Sequence, residues 1–281
     1  MPDQHLDILE RIRNAYRDLP ASEKKVADYV LDANSAVQFM SITQLAEEAG
    51  VADATVSRFC RSLELKGFNA FKLAIANHTA RSAIHSSQSA ETDASIRTEV
   101  CRLAEEAVHQ TIELLTDASI HQAVDLFEQS PRILCFGSGG SMILAQTFAN
   151  LFSTVSSKFS SIADSHSQIS ATATMGPEDV IVLFSYSGST TIGLQILELA
   201  KSRGIRTVLV TRYVKSPAAK LADVILCCGS NETPFQSGSV PAKIAQLVVM
   251  DMLYQEYRFR NRQECDENIQ SIANALTGTH V

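Results

Sequence analysis

The chain has 281 residues, which is long enough for one large domain or two of ordinary size. Its composition, with 45% hydrophobic and 20% charged residues and no tryptophan, is typical of a soluble globular protein. The longest apolar runs are shorter than a membrane span, and the charged first residues lack the apolar stretch of a secretory signal, so we expect a cytoplasmic protein without a membrane partner. The net charge of −7 argues against broad affinity for nucleic acids.

Residues 1–78 predict an all-helical domain, because apolar positions recur close to the helical period in successive segments. One such segment, "SEKKVADYVLDANSAV", offers Ser22 as its N-cap. The next, "SITQLAEEAG", opens with a capping box at Ser41 and ends at Gly50. Two more helices are expected, one in "VADATVSRFCRSL" with Asp53 as its N-cap and one in "GFNAFKLAIANHT".

The two helices that flank Gly50 have the lengths and the turn of a helix-turn-helix motif, whose second helix enters the major groove of DNA. When the apolar residues of that helix face inward, its outer face carries Asp53, Thr55, Ser57, Arg58 and Arg61. Lys66 and Lys72 lie just beyond, in a segment where five basic residues accompany a single acidic one. We predict DNA contacts from the outer face and phosphate contacts from the two lysines. The alternative is a helical bundle whose charged face meets only water.

Residues 79–97 are rich in serine and are expected to form a linker, which could be partly helical. Helices are predicted at about 98–116 and 119–129. From residue 131 onward, five short and nearly continuous apolar segments are typical of strands buried on both faces: "RILCFG", "KFSSIAD", "DVIVLFS", "RTVLVT" and "DVILCCG". Their alternation with helices predicts an α/β domain over 98–281, with a doubly wound, five-stranded parallel sheet.

Two of the predicted strands end in loops of serine and glycine, "CFGSGGS" and "FSYSGST". In an open parallel sheet, ligands bind beyond the carboxyl ends of the strands, where loops lead into helix N-termini whose N–H groups favour anions. Neither loop contains lysine or arginine, so the pattern predicts a site of moderate affinity for one phosphate monoester. Gly137, Gly139, Gly140 and Gly188 would let the backbone approach the ligand closely, and the hydroxyls of Ser185, Ser187, Ser189 and Thr190 would add uncharged donors.

Other interpretations of these loops are weaker or remain open. A dinucleotide site is disfavoured because Met142 stands where the Rossmann motif needs its third glycine, and a Walker loop is excluded by the missing lysine. The serines could instead serve only to cap helices. Two further polar residues are candidates for hydrogen bonds to sugar hydroxyls: His166, after the second predicted strand, and Glu232, after the last.

The six cysteines have no spacing typical of a zinc site, and we expect them to be buried and reduced. Nothing in the sequence indicates a metal ion or another cofactor.

Taken together, several segments resemble the RpiR/MurR family of bacterial transcriptional regulators, in which a helix-turn-helix domain precedes a sugar isomerase (SIS) domain. The matching segments, in order, are "SEKKVADYVL", "SITQLAEEAGVADATVSRFCRSLELKGFNAFKLAI", "FGSGGS", "PEDVIVLFSYSGST" and "KSPAAKLADVIL". The resemblance covers nearly the whole chain. It implies a regulator of sugar metabolism that binds double-stranded DNA and whose SIS domain senses a phosphorylated sugar.

The resemblance also implies which residues contact the ligand. By position they are Ser138, Ser141, Ser185, Ser187 and Thr190, together with the backbone of Gly188 and Ser189. After the last strand the family commonly has a glutamate and then an arginine before Ser-Gly. This chain keeps Glu232 but has Gln236 in place of the arginine, which favours a sugar phosphate without a second charge.

SIS domains also occur in aldose–ketose isomerases, so a phosphosugar isomerase is the alternative function. Glu232 as a base and His166 for ring opening could fill those roles. A fused DNA-binding domain makes turnover unnecessary, and we therefore expect no catalytic residues. SIS domains of this family dimerise, which implies a homodimer or a higher homo-oligomer on a palindromic operator.

Overall fold

The computed structural model describes residues 7–86, 96–230 and 239–277. These residues form two compact units that divide near residue 100. Among the described residues, every helix is too short or too polar to span a lipid bilayer.

The first unit is entirely helical, as predicted. Its helices are α1 (Ile8–Ala15), α2 (Ala21–Val37), α3 (Ile42–Glu48), α4 (Asp53–Ser62) and α5 (Phe68–Ser86). They surround one apolar core, in which the rings of Phe59 and Phe71 pack edge to face with centroids 5.6 Å apart. Because α5 continues to Ser86, residues 79–86 of the predicted linker are helical, and 87–95 lie outside the described residues.

Two of the predicted N-caps are wrong, and one is confirmed. Ser41 accepts a hydrogen bond from the Gln44 N–H, while the Gln44 side chain accepts one from the Ser41 N–H, which completes the capping box. Helix α2 begins directly after a proline, one residue before Ser22. Asp53 is the first residue inside α4, where its carboxylate accepts a hydrogen bond from Thr43 Oγ1 (2.8 Å). At this position the negative charge also interacts favourably with the positive end of the helix dipole.

The second unit alternates helices with strands after two initial helices. Its elements are α6 (Ile96–Leu114), α7 (Asp117–Gln129), β1 (Ile133–Gly137), α8 (Gly140–Ser153), β2 (Phe159–Ser161), α9 (Ser165–Thr174), β3 (Val180–Phe184), α10 (Thr191–Ser202), β4 (Arg206–Thr211), β5 (Val224–Cys227), α11 (Val240–Arg260) and α12 (Arg262–Leu276). The first five residues of α6 group with the helical unit.

The five strands form one parallel sheet in the order β2-β1-β3-β4-β5, which confirms the predicted doubly wound architecture. Alternate residues of β1 pack into separate cores on the two faces: Ile133 and Cys135 on one, Leu134 and Phe136 on the other. The strand order reverses between β1 and β3. In sheets of this kind the crevice at such a reversal is where ligands bind.

Candidate functional site

The two serine loops leave the sheet at neighbouring positions. Strands β1 and β3 pair in parallel, and their last residues, Gly137 and Phe184, are partners in the register. The first loop leads into α8 and the second into α10. Both loops therefore lie at the carboxyl edge of the sheet, side by side at the reversal of strand order, as the sequence predicted.

The first loop depends on glycine for its close path. A Cβ atom at Gly137 would lie 2.6 Å from the backbone oxygen of Ser141, so a larger residue would force the start of α8 away from β1. Gly139 has φ +56° and caps α8 without a side-chain hydrogen bond. Ser138 and Ser141 are half-buried, and Gly139 is exposed.

The second loop is equally tight. Gly188 has φ +59°, and a Cβ atom there would lie 2.1 Å from Ser216 Oγ. Ser187, Ser189 and Thr190 are exposed, and Ser189 Oγ donates to the Ser187 carbonyl at 3.1 Å. Thr190 is the N-cap of α10 but makes no side-chain capping bond. Neither α8 nor α10 thus has its first N–H groups capped by its N-cap side chain, which is the arrangement that suits an anion.

Ser185 differs from the other hydroxyl residues of its loop. Its side chain is buried, with 3% of the residue exposed, and its Oγ has no hydrogen-bond partner among the described residues. The hydroxyl therefore lies beneath the exposed part of the loop. A ligand role for Ser185 stays a prediction and would require the loop to shift.

Of the two candidates for contacts with sugar hydroxyls, His166 and Glu232, the structure describes only His166. His166 is exposed in the first turn of α9, next to Ser167, whose N–H bonds the N-cap carboxylate of Asp164 (2.8 Å) and lowers its pKa. Glu232 lies outside the described residues, as does Gln236.

Gln168 is a residue at this site that the sequence analysis did not identify. It is fully buried, and its Nε2 donates to the carbonyls of Gly137 (2.9 Å) and Ile162 (2.7 Å). It thereby ties the end of β1, where the first serine loop begins, to the chain that enters α9. Its Oε1 has no partner among the described residues. The only sequence signal was a glutamine on the inward face of a short polar helix.

The helix-turn-helix geometry in the first unit agrees with the prediction. Gly50 has φ +63° in the turn, where its N–H donates to the Glu47 carbonyl and the next N–H donates to the Ala46 carbonyl. The inward face of α4 is fully buried, and burial raises the pKa of the Cys60 thiol to about 12.

The predicted DNA-contacting residues differ in their exposure. Arg58, Arg61 and Lys66 are exposed, whereas Ser57 and Lys72 are half-buried, with Lys72 Nζ 5.9 Å from the centre of the Phe68 ring. The outer-face placement of Thr55 is wrong: the residue is 5% exposed, on the inner side of α4.

Thr55 nevertheless has a defined contact with the outer face. Its Oγ1 accepts a hydrogen bond from Arg58 Nη2 at 2.9 Å, one helical turn further along α4. The sequence missed this because Thr55 lies at the edge of the apolar face of α4, where tertiary packing rather than residue type decides exposure.

Known proteins resemble both units. Residues 6–82 match the helix-turn-helix domain of the rpiR family, and residues 126–255 match the SIS domain. An uncharacterized HTH-type transcriptional regulator from Caldanaerobacter subterraneus subsp. tengcongensis is 30% identical over 257 residues, which are 88% of this chain and 89% of the relative. Another from Thermotoga maritima is 30% identical over 254 residues, covering 89% of this chain and 91% of that one.

Solved structures resemble the chain as well. The Vibrio vulnificus NanR protein complexed with ManNAc-6P matches 98% of this chain and 100% of its own, with a TM-score of 0.87 and 25% identity. The sugar isomerase domain of an RpiR transcription factor from Sphaerobacter thermophilus matches 64% of this chain and 98% of its own, with a TM-score of 0.59. At 18% identity that second likeness concerns the fold alone.

The family match and the curated relatives agree on the kind of protein this is. The relatives are transcriptional regulators, and they match along almost the whole chain, helix-turn-helix and SIS domain together. The chain therefore belongs to the RpiR family of transcriptional regulators and is a regulator rather than an enzyme.

Proposed function

We propose that this regulator binds a phosphorylated sugar at the two serine loops and that binding changes its affinity for a DNA operator. The observation that carries this proposal is the register pairing of Gly137 with Phe184, because it brings both loops to one edge of the sheet. Two separate loops of small, hydroxyl-bearing residues then contribute to a single site.

The chemistry of the loops favours a phosphate monoester. Ser187, Ser189 and Thr190 offer exposed hydroxyl donors, and the N-termini of α8 and α10 add backbone N–H groups and their helix dipoles. Since neither loop contributes a cationic side chain, affinity comes from several neutral donors. This arrangement suits an ester with one phosphate and a sugar body that forms the remaining contacts.

The comparison with NanR supports the same class of ligand. That protein is complexed with ManNAc-6P, a phosphorylated sugar, and resembles this chain over 98% of its length. At 25% identity the likeness supports the ligand class.

The exposed face of α4 supports a specific contact with DNA. Arg58 and Arg61 lie one turn apart on that face, where a guanidinium donates to guanine edges or phosphates in the major groove. Thr55 accepts from Arg58 and holds its side chain along the helix, so its role is to orient the arginine. Lys66 and Lys72, beyond α4, are placed for phosphate contacts.

We further propose that the regulator acts as a homodimer. Ile96, Val100 and Leu103 are exposed large apolar residues spaced along one side of α6, which is typical of a helix face that packs against another chain. Two copies of α4 would then contact two half-sites about one DNA turn (~34 Å) apart, on a palindromic operator.

A thermal-shift screen of the purified chain tests the ligand proposal. The panel contains ManNAc-6P, glucose 6-phosphate and fructose 6-phosphate, with the unphosphorylated sugars and inorganic phosphate as controls. A ligand at 100 times its Kd stabilises the native state by about 2.7 kcal/mol, which corresponds to a rise in Tm of about 5–10 °C for a domain of this size.

The expected result is a clear shift with at least one ester, a smaller shift with inorganic phosphate, and none with the free sugars. Equal shifts with free sugar and ester would show that the loops do not bind the phosphate. Conversion of the ester during incubation would contradict a purely regulatory role.

A further inference from the structure

The second serine loop contains one residue, Tyr186, whose side chain bonds a distant part of the sheet domain. Tyr186 stands between Ser185 and Ser187, and its hydroxyl donates to the Ser230 carbonyl at 2.6 Å. Ser230 lies three residues beyond the end of β5, two strands away from the loop. The hydrogen bond thus joins the proposed phosphate loop to the segment after the edge strand β5.

Ser230 is held in an uncommon conformation by bonds to both of its backbone polar groups. Its φ is +89°, which is rare for a residue other than glycine. Its carbonyl accepts from Tyr186 and also from Arg212 Nε (3.0 Å), while its N–H donates to Gln110 Oε1 (3.0 Å). Since these partners determine the conformation of Ser230, a change at one of them is transmitted to the others.

Gln110 belongs to α6, and α6 packs closely against the segment that follows β5. A Cβ atom at Gly229 would lie 2.5 Å from Gln110 Cβ and 2.6 Å from the backbone nitrogen of Thr111. The Gly229 N–H donates to Thr111 Oγ1 (2.9 Å), and Thr111 is fully buried. The end of β5 and the middle of α6 therefore move as one body or lose these bonds.

Tyr186, at the other end of this series of hydrogen bonds, is also held by several contacts. The Tyr186 carbonyl accepts from the Arg212 N–H and from Thr211 Oγ1, both at 3.0 Å, and the Tyr186 ring packs edge to face on Tyr213. A shift of the loop on binding an anion at Ser187 carries Tyr186 with it, because the two residues are adjacent.

We propose that Tyr186 is a positioning residue that transmits the state of the second serine loop, through Ser230 and Gln110, to helix α6. The proposal rests on the function proposed above. Helix α6 is the first described helix after α5, and the division between the two units falls within it.

Hydrogen–deuterium exchange on the full chain tests the link without a ligand. Tyr186→Phe removes only the hydroxyl, and Arg212 still pairs the Ser230 carbonyl, so the variant is expected to fold. We expect peptides covering residues 226–230 and 104–114 to exchange about five- to tenfold faster, as the loss of one hydrogen bond predicts. Gln110→Leu, made on the helix, should in turn accelerate exchange in residues 185–190.

A matched control distinguishes this link from a general loss of stability. Tyr254 also has a hydroxyl in a part-buried hydrogen bond, with Thr154 Oγ1 at 3.0 Å, and lies in the same unit. Tyr254→Phe should leave all three peptides unchanged. The proposal is overturned if Tyr186→Phe leaves residues 104–114 at the wild-type rate, or if Tyr254→Phe has the same effect.

A second arm uses inorganic phosphate as the probe. In the wild type, phosphate should slow exchange in residues 185–190 and change it in 104–114. In Tyr186→Phe the first effect should persist and the second should disappear. If the response in α6 persists, Tyr186 does not transmit it. If phosphate protects residues 185–190 in neither protein, the proposed phosphate site is wrong, and the ligand-free exchange alone decides whether the link exists.

Discussion

Exposure separates the hydroxyl residues of the second serine loop into two groups. Ser187, Ser189 and Thr190 face solvent, whereas Ser185 is buried and its Oγ has no hydrogen-bond partner within the part of the chain that the structure describes. A phosphate that binds to the loop would therefore contact Ser187, Ser189 and Thr190 before Ser185. Ser185 becomes available only if the loop moves, and the energetic cost of its unpaired hydroxyl would favour such a movement.

Ser187→Ala should weaken ligand binding without changing the fold. A hydrogen bond to a charged phosphate contributes about 1.5–3 kcal/mol, so the Kd should rise about 10- to 100-fold. Isothermal titration with the ester found in the thermal screen measures this. Ser202→Ala, at an exposed serine near the end of α10, is the matched control and should bind as the wild type does. Unchanged affinity in Ser187→Ala would remove this hydroxyl from the site.

In α4, the hydrogen bond from Arg58 to Thr55 predicts two graded effects on DNA binding. Arg58→Ala should reduce the preference for the selected operator over a scrambled duplex by about 1–3 kcal/mol. Thr55→Val keeps the buried shape but removes the acceptor, so it should cause a smaller loss through a less ordered arginine. Arg13→Ala, an equal charge change on an exposed residue of α1, is the control in fluorescence anisotropy. A loss in Arg13→Ala as large as that in Arg58→Ala would contradict the assignment of α4 as the recognition helix.

Among the secondary-structure elements, the strands could be predicted because all positions of β1 and β3 are buried, and only apolar residues satisfy that requirement. Helix starts were less certain, because neighbouring residues compete for the capping position. Ser22 and Asp53 are both suitable caps, yet α2 begins two residues earlier, and α4 one residue earlier, than those caps would place them.

The contacts that organise the serine loops could not be predicted from local sequence. Gln168 bonds a carbonyl 31 residues away, and Tyr186 bonds one 44 residues away. Both partners are backbone groups, so no residue type in the sequence marks them. The loops themselves were found because glycine and serine at strand ends are a local signal, and the sheet order then brings them together.

The opposite edge of the sheet is held by an ion pair between the starts of β1 and β3. Arg132 donates to both carboxylate oxygens of Asp179, at 3.2 and 2.5 Å, and the Gly176 N–H donates to the same carboxylate. Burial acts to raise the pKa of Asp179, but the Arg132 hydrogen bonds and the Gly176 N–H outweigh it and lower the pKa. The carboxylate therefore stabilises the fold above its unfolded pKa of about 4, and this contribution is lost as the pH falls through the lower folded pKa.

Asp179→Asn should lower the free energy of unfolding at pH 7 by about 1–3 kcal/mol and should make stability less dependent on pH in the acid range. The reason is that the variant loses the charged partner of Arg132 and the group whose pKa differs between the two states. Urea unfolding at several pH values between 7 and 3 measures both effects. Asp251→Asn, at an exposed aspartate on α11, should change neither. A loss of stability at pH 7 that persists undiminished at pH 3 would contradict this origin.

For the whole molecule, the charge distribution is consistent with its place in the RpiR family. The net charge is −7, yet five basic residues accompany only Glu64 between residues 58 and 81. Acidic surface elsewhere limits contact with arbitrary DNA, while the basic segment beside α4 provides local attraction. This favours a protein that binds DNA through one defined face.

If one equilibrium connects the serine loops with α4, the effects of ligand and operator on each other must be equal. A coupling free energy of about 1–3 kcal/mol would change the operator Kd about 5- to 150-fold on addition of the sugar phosphate. The operator, selected from random duplexes, must then change the Kd of the sugar phosphate by the same factor. Anisotropy with and without ester, and calorimetry with and without operator, measure the two factors. A scrambled duplex should leave the ligand Kd unchanged, and an operator Kd that stays within twofold at saturating ester would show that the ligand does not regulate DNA binding.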